Sequence, residues 1–221
     1  MHENTQARYT ISPVTLHIEN SKFSALSISN NGEHRAAFQV EVKLWSQNEG
    51  TDVFQDTDDF IITPVIFFLE PGNTQQVRLG FRKEIALDIE QTYRLFLREI
   101  LPQDKKKRSN EISMQFNFSI PIFIQPKEQY SPNLACTYKG IKKNNIEIKC
   151  TNSGNTYQFI KNLDIQEYGK PLQAIPIFKY VLGGHSIPII PKATIPEHAQ
   201  LSISTIREGE TTFTNVRLKP E

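Results

Sequence analysis

The sequence predicts an all-β chain made of two successive β-sandwich domains. Three observations carry this. Apolar residues recur with period two along most of the chain, no stretch holds a 3.6-residue period for three turns, and clusters of Asn, Gly and Pro punctuate the pattern at short intervals.

The first expected strand, 9–18, stops at Glu19-Asn20-Ser21, and the second, 23–29, stops at Asn30-Asn31-Gly32. The third, 37–45, runs out before Asn48-Glu49-Gly50, and the fourth, 61–69, ends on Glu70-Pro71-Gly72. Strands 74–81, 92–100 and 112–124 complete a set of seven, the signature of an immunoglobulin-like sandwich. A polar, proline-bearing stretch, Gln125-Pro126-Lys127-Glu128-Gln129, then reads as a linker. The expected domains are therefore 7–125 and 128–221. In the second, strands are expected at 146–150, 157–163, 178–182, 186–190, 201–206 and 212–218, with Pro171, Pro176, Pro188 and Pro191 interrupting the register.

Composition narrows the function classes. With 38% apolar and 22% charged residues and a net charge of +1, the chain reads as globular, with no electrostatic case for nucleic acid or a membrane surface. No apolar run approaches the roughly 20 residues that span a bilayer, so no direct membrane insertion is expected. The opening Met1-His2-Glu3-Asn4-Thr5-Gln6 has no apolar signal-peptide core, which fits a cytosolic protein and equally a mature secreted domain with a replacement Met. Catalysis is not expected: Gly-x-Ser-x-Gly, phosphate-loop and His-Glu-x-x-His patterns are all missing. Asp52, Asp56, Asp58 and Asp59 lack the spacing of a calcium loop and read as a polar loop, so no metal and no cofactor are expected.

The only cysteines are Cys136 and Cys150. They are either two buried thiols or a bridge. Folding 133–150 as a hairpin about Lys143 sets them opposite each other, and a disulfide there implies an oxidising compartment.

One strand stands apart. In 111–120, Ile112, Met114, Phe116, Phe118 and Ile120 share one face, while Ser113, Gln115, Asn117 and Ser119 take the other. Alternation alone describes any half-buried strand. Here, however, the basic run Asp104-Lys105-Lys106-Lys107-Arg108-Ser109-Asn110 leads directly into large apolar side chains, and so greasy an edge is an aggregation hazard unless a partner covers it.

The residues Leu26-Ser27-Ile28-Ser29-Asn30-Asn31, Ile62-Thr63-Pro64-Val65-Ile66, Leu69-Glu70-Pro71-Gly72, Gln76-Val77-Arg78-Leu79, Tyr93–Ile100 and Ser119–Ile124 follow one another in the order and at about the spacing of a known family. Across 9–126 the chain resembles the PapD-like periplasmic chaperones of chaperone–usher pili. The form of Tyr93-Arg94-Leu95 and of Ser119-Ile120-Pro121 is similar to the archaic, Csu-type branch. In the second domain the likeness is diffuse, with Phe178-Lys179-Tyr180-Val181-Leu182 its best piece.

That resemblance implies two sandwiches set at an angle, a periplasmic location, pilin subunits and an outer-membrane usher as partners, and strand addition as the mode of binding. It assigns Ile112, Met114, Phe116 and Phe118 to a donor strand inserted into the pilin's groove. Ile112, Met114 and Phe116 are thus expected to be exposed and to contribute little to the chain's own core. The exposed strand also offers a route to self-association. The better-known branch grips the pilin's C-terminal carboxylate with two cations, but the matching positions here hold Thr15 and Pro121. Arg94 and Arg98, on one face of the neighbouring strand, are the candidate substitutes. An ion-pair set that orients the two domains maps to Arg78, Glu90 and Glu208, and the resemblance leaves catalysis out. The competing reading is a structural pilus subunit or a secreted adhesive immunoglobulin-like module, although a pilin would be one incomplete sandwich rather than two in succession.

Overall fold

The computed structural model describes residues 7–19, 22–84, 88–100, 114–126, 131, 133–141, 145–193, 195–196, 198–207 and 210–218. Among them are seventeen strands and no helix. The chain divides into two compact units: Met1–Trp45, Phe54–Ile85 and Gln91–Gln125 form the first, and Ser46–Val53, Ala86–Glu90 and Pro126–Glu221 the second. The final crossing falls at Gln125–Pro126, whereas the two short returns are invisible to a linear reading of the chain.

In the first unit one sheet runs β1 (Tyr9–Ser12), β3 (Phe23–Asn30), β8 (Thr74–Phe81), β6 (Phe60–Thr63). The other runs β2 (Leu16–Ile18), β10 (Asn117–Ile124), β9 (Gln91–Ile100), β4 (Ala36–Asn48), β5 (Thr51–Asp56), with β7 (Ile66–Leu69) also paired to β4. Two of the expected strands are thus broken, each at a proline. The stretch 9–18 splits at Pro13 into β1 and β2, and 61–69 splits at Pro64 into β6 and β7; in both cases the two halves join opposite sheets. Proline has no N–H for a ladder, so pairing stops there and the chain can change layers. The inner faces close on Leu26, Ile28, Val77 and Leu79 from one sheet and Phe38, Val40, Tyr93, Leu95, Leu97 and Ile122 from the other.

The second unit is a seven-stranded sheet in the order β14 (Lys170–Val181), β13 (Gln158–Glu167), β16 (Gln200–Arg207), β17 (Glu210–Leu218), β11 (Leu134–Ile141), β12 (Asn145–Asn152), β15 (Ser186–Ile189). β17 pairs antiparallel with β16 through Glu210–Asn215 and then parallel with β11 through Val216–Leu218. Its two halves therefore serve two neighbours around a core of Ile148, Ile160, Leu163, Val181 and Ile203. β14 starts well before the expected position and contains both Pro171 and Pro176, which an edge strand tolerates because one side of its ladder is unused. Cys136 and Cys150 face each other across β11 and β12 and are joined, with an S–S distance of 2.05 Å.

Both units carry the same buried corner. The Asn30 side-chain amide donates to the carbonyls of His34 and Leu69, while its oxygen accepts from the Gly32 N–H. Its backbone N–H donates to Asn73, and its carbonyl accepts from Gly72. Asn152 repeats every one of these bonds, with Thr156, Val181, Gly154, His185 and Gly184 in the corresponding places. Gly72 and Gly184, at φ 73° and 75°, supply the left-handed turn that brings an N–H back to each asparagine.

Replacing Asn152 by Ala strands two buried carbonyls and one N–H, and is expected to cost about 2–4 kcal/mol. Urea unfolding should show the loss, and amide exchange should confine it to the second unit. Asn30→Ala should do the same to the first.

Candidate functional site

The candidate site is built on β9 and β10, which pair antiparallel from Asn117↔Arg98 to Ile124↔Gln91. Along β9, Tyr93, Leu95, Leu97 and Glu99 point inward, and Arg94, Phe96 and Arg98 point outward. β10 changes character along its length. From Ile120 to Ile124 every residue is buried, because Phe123 on the outer face stacks near His17 and Trp45 while Ile120, Ile122 and Ile124 fill the core. The unbroken apolar run Ile120-Pro121-Ile122-Phe123-Ile124 is the sequence form of a strand covered on both faces. Before it, Asn117 and Ser119 are exposed.

Beyond β9, β10 has a second neighbour among the described residues only at Ile122–Ile124, where β2 runs parallel to it. The Glu99 N–H donates to the Phe116 carbonyl, so 116, 118 and 120 turn their backbone groups toward β9. The alternate residues Asn117 and Ser119 turn theirs to the outer edge. Among the described residues no strand covers that edge.

Ile112 lies outside the described residues. Met114 is 66% exposed. Phe116 departs from expectation: it is half-buried against the first unit's own core, with its ring edge-on to Tyr9 at 5.2 Å and stacked on Phe118 at 6.0 Å. Phe118 also packs on Tyr9, at 6.2 Å. The cause is Tyr9 on β1, whose ring offers a surface that spacing along one strand cannot reveal.

A buried carboxylate underlies this packing. Glu99, 3% exposed, accepts the Tyr9 hydroxyl at 2.7 Å, pairs with Arg8 Nη2 at 3.1 Å and accepts the Phe116 N–H at 3.2 Å. Burial first, and then the Glu99 carboxylate, hold the Tyr9 phenol protonated far above its ordinary range, so it stays a donor. Sequence reading missed Glu99, Arg8 and Tyr9, although one signal was present: Glu99 is a charged residue in the apolar phase of its strand.

Of the candidate anchoring cations, Arg94 lies 3.9 Å over the Trp45 ring, directly opposite Pro121 in the ladder. Arg98 pairs with Glu41 at 3.1 Å. Of the set expected of Arg78, Glu90 and Glu208, the first two are among the described residues. Arg78, on the outer face of β8, gives its Nε–H to Gln76 at 2.9 Å, and the cation acting on Glu90 is Arg207. Glu208 lies outside the described residues. Glu90 itself is buried and accepts the Tyr157 N–H at 2.9 Å, while the Arg207 guanidinium sits 4.9 Å from the Tyr157 ring.

Residues 10–129 match the family of pili and flagellar-assembly chaperones, PapD N-terminal domain. No curated protein matches the chain. Among solved structures, the chain is similar to the CsuC–CsuE chaperone–tip subunit pre-assembly complex from archaic chaperone–usher Csu pili of Acinetobacter baumannii, with a TM-score of 0.74, 20% identity and coverage of 97% of this chain and 100% of that one. It is similar to the SafB–SafA chaperone–pilin complex of Salmonella enterica, at TM-score 0.66, 15% identity and 94% of each chain. The CupB2 chaperone of Pseudomonas aeruginosa gives TM-score 0.62, 14% identity and coverage of 95% and 100%. At these identities the likeness is one of fold.

Glu90 makes stability depend on pH. Burial pushes its carboxyl from the ordinary 4.5 up to about 7, against the Tyr157 N–H and Arg207, which both favour the charged form. The unfolded chain therefore loses this proton first. Between pH 4.5 and 7 the folded state holds more protons, so stability falls as pH rises, by about 3 kcal/mol in all, and is flat above 7. Glu90→Gln should remove that fall. It should be clearly more stable than the parent at pH 8 and close to it at pH 5, as read by urea unfolding at both.

Proposed function

The chain belongs to the family of pili and flagellar-assembly chaperones, and from that membership we propose that it binds, folds and caps pilin subunits by donor-strand complementation in the periplasm and hands them to an outer-membrane usher. It acts by binding, with no chemical step. One observation carries the reading: among the described residues no strand pairs with the outer edge of β10 at Asn117 and Ser119, immediately behind the exposed Met114. A pilin groove that lacks its last strand needs backbone partners and apolar side chains in alternation, and this segment offers both. The join between Cys136 and Cys150 suits the same oxidising compartment. The archaic, Csu-type branch is supported by the Thr15 and Pro121 positions and by the fold likeness to the Csu chaperone.

In that branch the subunit's C-terminal carboxylate must be held without the usual pair of cations. Arg94 is the substitute we favour. Residues directly opposite in a ladder share a face, so its guanidinium lies on the same side as the position that Pro121 leaves without charge. Stacking on Trp45 orders the side chain before a ligand arrives.

Met114→Glu should weaken capture of the pilin encoded beside this chain by at least about 100-fold, since an unpaired carboxylate is strongly disfavoured in an apolar groove. The melting temperature should not change, because Met114 is largely exposed. Phe116→Glu should instead lower the chain's own stability by about 2 kcal/mol, since it places a charge against Tyr9. Periplasmic co-expression, sizing of the one-to-one complex and thermal melts test both. Full capture by Met114→Glu would sink the donor-strand reading.

A further inference from the structure

The apolar pattern of the donor segment contains an ambiguity. Ile112, Met114, Phe116, Phe118 and Ile120 repeat every two residues, so sliding the segment by two along β9 replaces each large apolar side chain with another. Sheet register is strongly specified only where a slip would turn apolar side chains outward, and a slip of two does not. Something other than hydrophobicity must decide which of these residues stays in the chain's own core and which is donated.

We infer that Glu99 is the register stop: its carboxylate ends the β9–β10 ladder at Phe116, keeps Phe116 on Tyr9 and leaves Met114 as the first side chain available to a bound pilin. The inference rests on the pilin-chaperone reading. It is carried by hydrogen-bond accounting at one residue pair. An antiparallel pair of this kind exchanges two backbone bonds. Glu99 and Phe116 make one of them, from the Glu99 N–H to the Phe116 carbonyl at 2.9 Å. In place of the other, the Phe116 N–H goes to Glu99 Oε2 at 3.2 Å, while the Glu99 carbonyl accepts the side-chain amide of Gln115. Side chains thus fill both halves of the bond that would carry the ladder onward.

The stop is braced from β1. Glu99 Oε1 takes the Tyr9 hydroxyl at 2.7 Å and Arg8 at 3.1 Å, and the Arg8 guanidinium lies 5.0 Å from the Tyr9 ring and 5.8 Å from that of Phe116. Charge-assisted bonds of this kind are strong, and a buried carboxylate stripped of its partners is costly. The cluster therefore holds as a whole or opens as a whole, as a stop must. Glu99 acts as a positioning residue, through the backbone of Phe116.

Residue-resolved amide exchange on the full chain tests this without any partner. In the parent, the Phe116 amide should exchange at least about tenfold more slowly than that of Met114. Glu99→Ala should abolish the difference while Leu97 and Ile120 stay protected, and Glu99→Gln, which keeps an acceptor, should restore part of it. If Glu99→Ala fails to fold, Tyr9→Phe removes one donor but keeps the ring, and should lower Phe116 protection by a smaller factor. Register is read separately, by disulfide trapping between Met114→Cys and single cysteines along the pilin groove. The parent background should trap one groove position and the Glu99→Ala background several. Unchanged Phe116 protection in Glu99→Ala, or in Tyr9→Phe where that stands in, or a single trapped position in both backgrounds, would overturn the inference. Should the parent capture no pilin at all, the functional reading fails, and the exchange measurements still decide the role of Glu99.

Discussion

One buried asparagine amide holds each sandwich of this chain together, and the rest of the fold is arranged around it. At Asn30 a single residue ties the end of β3 to the end of β7 and to the turn that opens β8, so that segments from both layers meet at one carboxamide. Every donor and acceptor on the side chain is used, which is what makes a fully buried amide tolerable. Asn152 performs the same task in the second unit with the same pattern of partners. The correspondence extends to sequence: Asn-x-Gly recurs at 30–32 and 152–154, and each is answered by a left-handed glycine, Gly72 or Gly184. A hydrophobic core alone would permit the layers to slide. The amide corner fixes them, because its bonds are directional and each is expensive to leave unmade.

With the first sandwich fixed at that corner, its other distinctive feature is a strand that is half finished. From Ile120 onward β10 is covered on both faces, and from Ile122 it is flanked by two strands, whereas before Ile122 it is flanked among the described residues by one. An open edge is ordinarily a liability. Here it is short: of the residues whose backbone faces outward in β10 before β2 joins, Asn117 and Ser119 present an N–H, and Pro121 has none to present. The same proline stands where the resemblance places a family cation, and under the proposed function the electrostatic task passes to its neighbour across the ladder, Arg94.

The layers were legible in the sequence because the period-two pattern records which face is dry. What the pattern could not show is where a strand changes layer. Pro13 and Pro64 mark both changes, but a proline in a strand-like run reads equally as an edge position, and β14 carries Pro171 and Pro176 without breaking. At the site, the apolar alternation of 112–120 was visible, and the point at which the chain's own core takes it up was not. That end depends on Tyr9 and Arg8, remote in sequence, and on Glu99, whose place in the apolar phase of β9 was the one available clue. The influence of Arg207 on Glu90 was hidden for a related reason. A motif aligned along the chain records order, whereas the cation that meets Glu90 is set by the pairing of β16 with β13, which brings Arg207 beside Tyr157.

The retention of Phe116 bears on how firmly such a chain would hold a subunit. A fully buried large apolar side chain is worth roughly 1.5–3 kcal/mol, so each residue withheld from the groove lowers the gross affinity by about 10- to 100-fold. Phe116 and Phe118 pack on Tyr9, which under the proposed function leaves Met114 as the described residue free to serve as an apolar anchor. A capping protein that must give up its client at the next step gains from that division. Under that proposal, backbone pairing along the edge would supply orientation, a limited set of side chains would supply affinity, and the remainder would stabilise the chaperone while it is empty. Under the proposed function, the boundary between holding and releasing a pilin is drawn inside a single strand, at the residue where one buried carboxylate takes the place of a ladder bond.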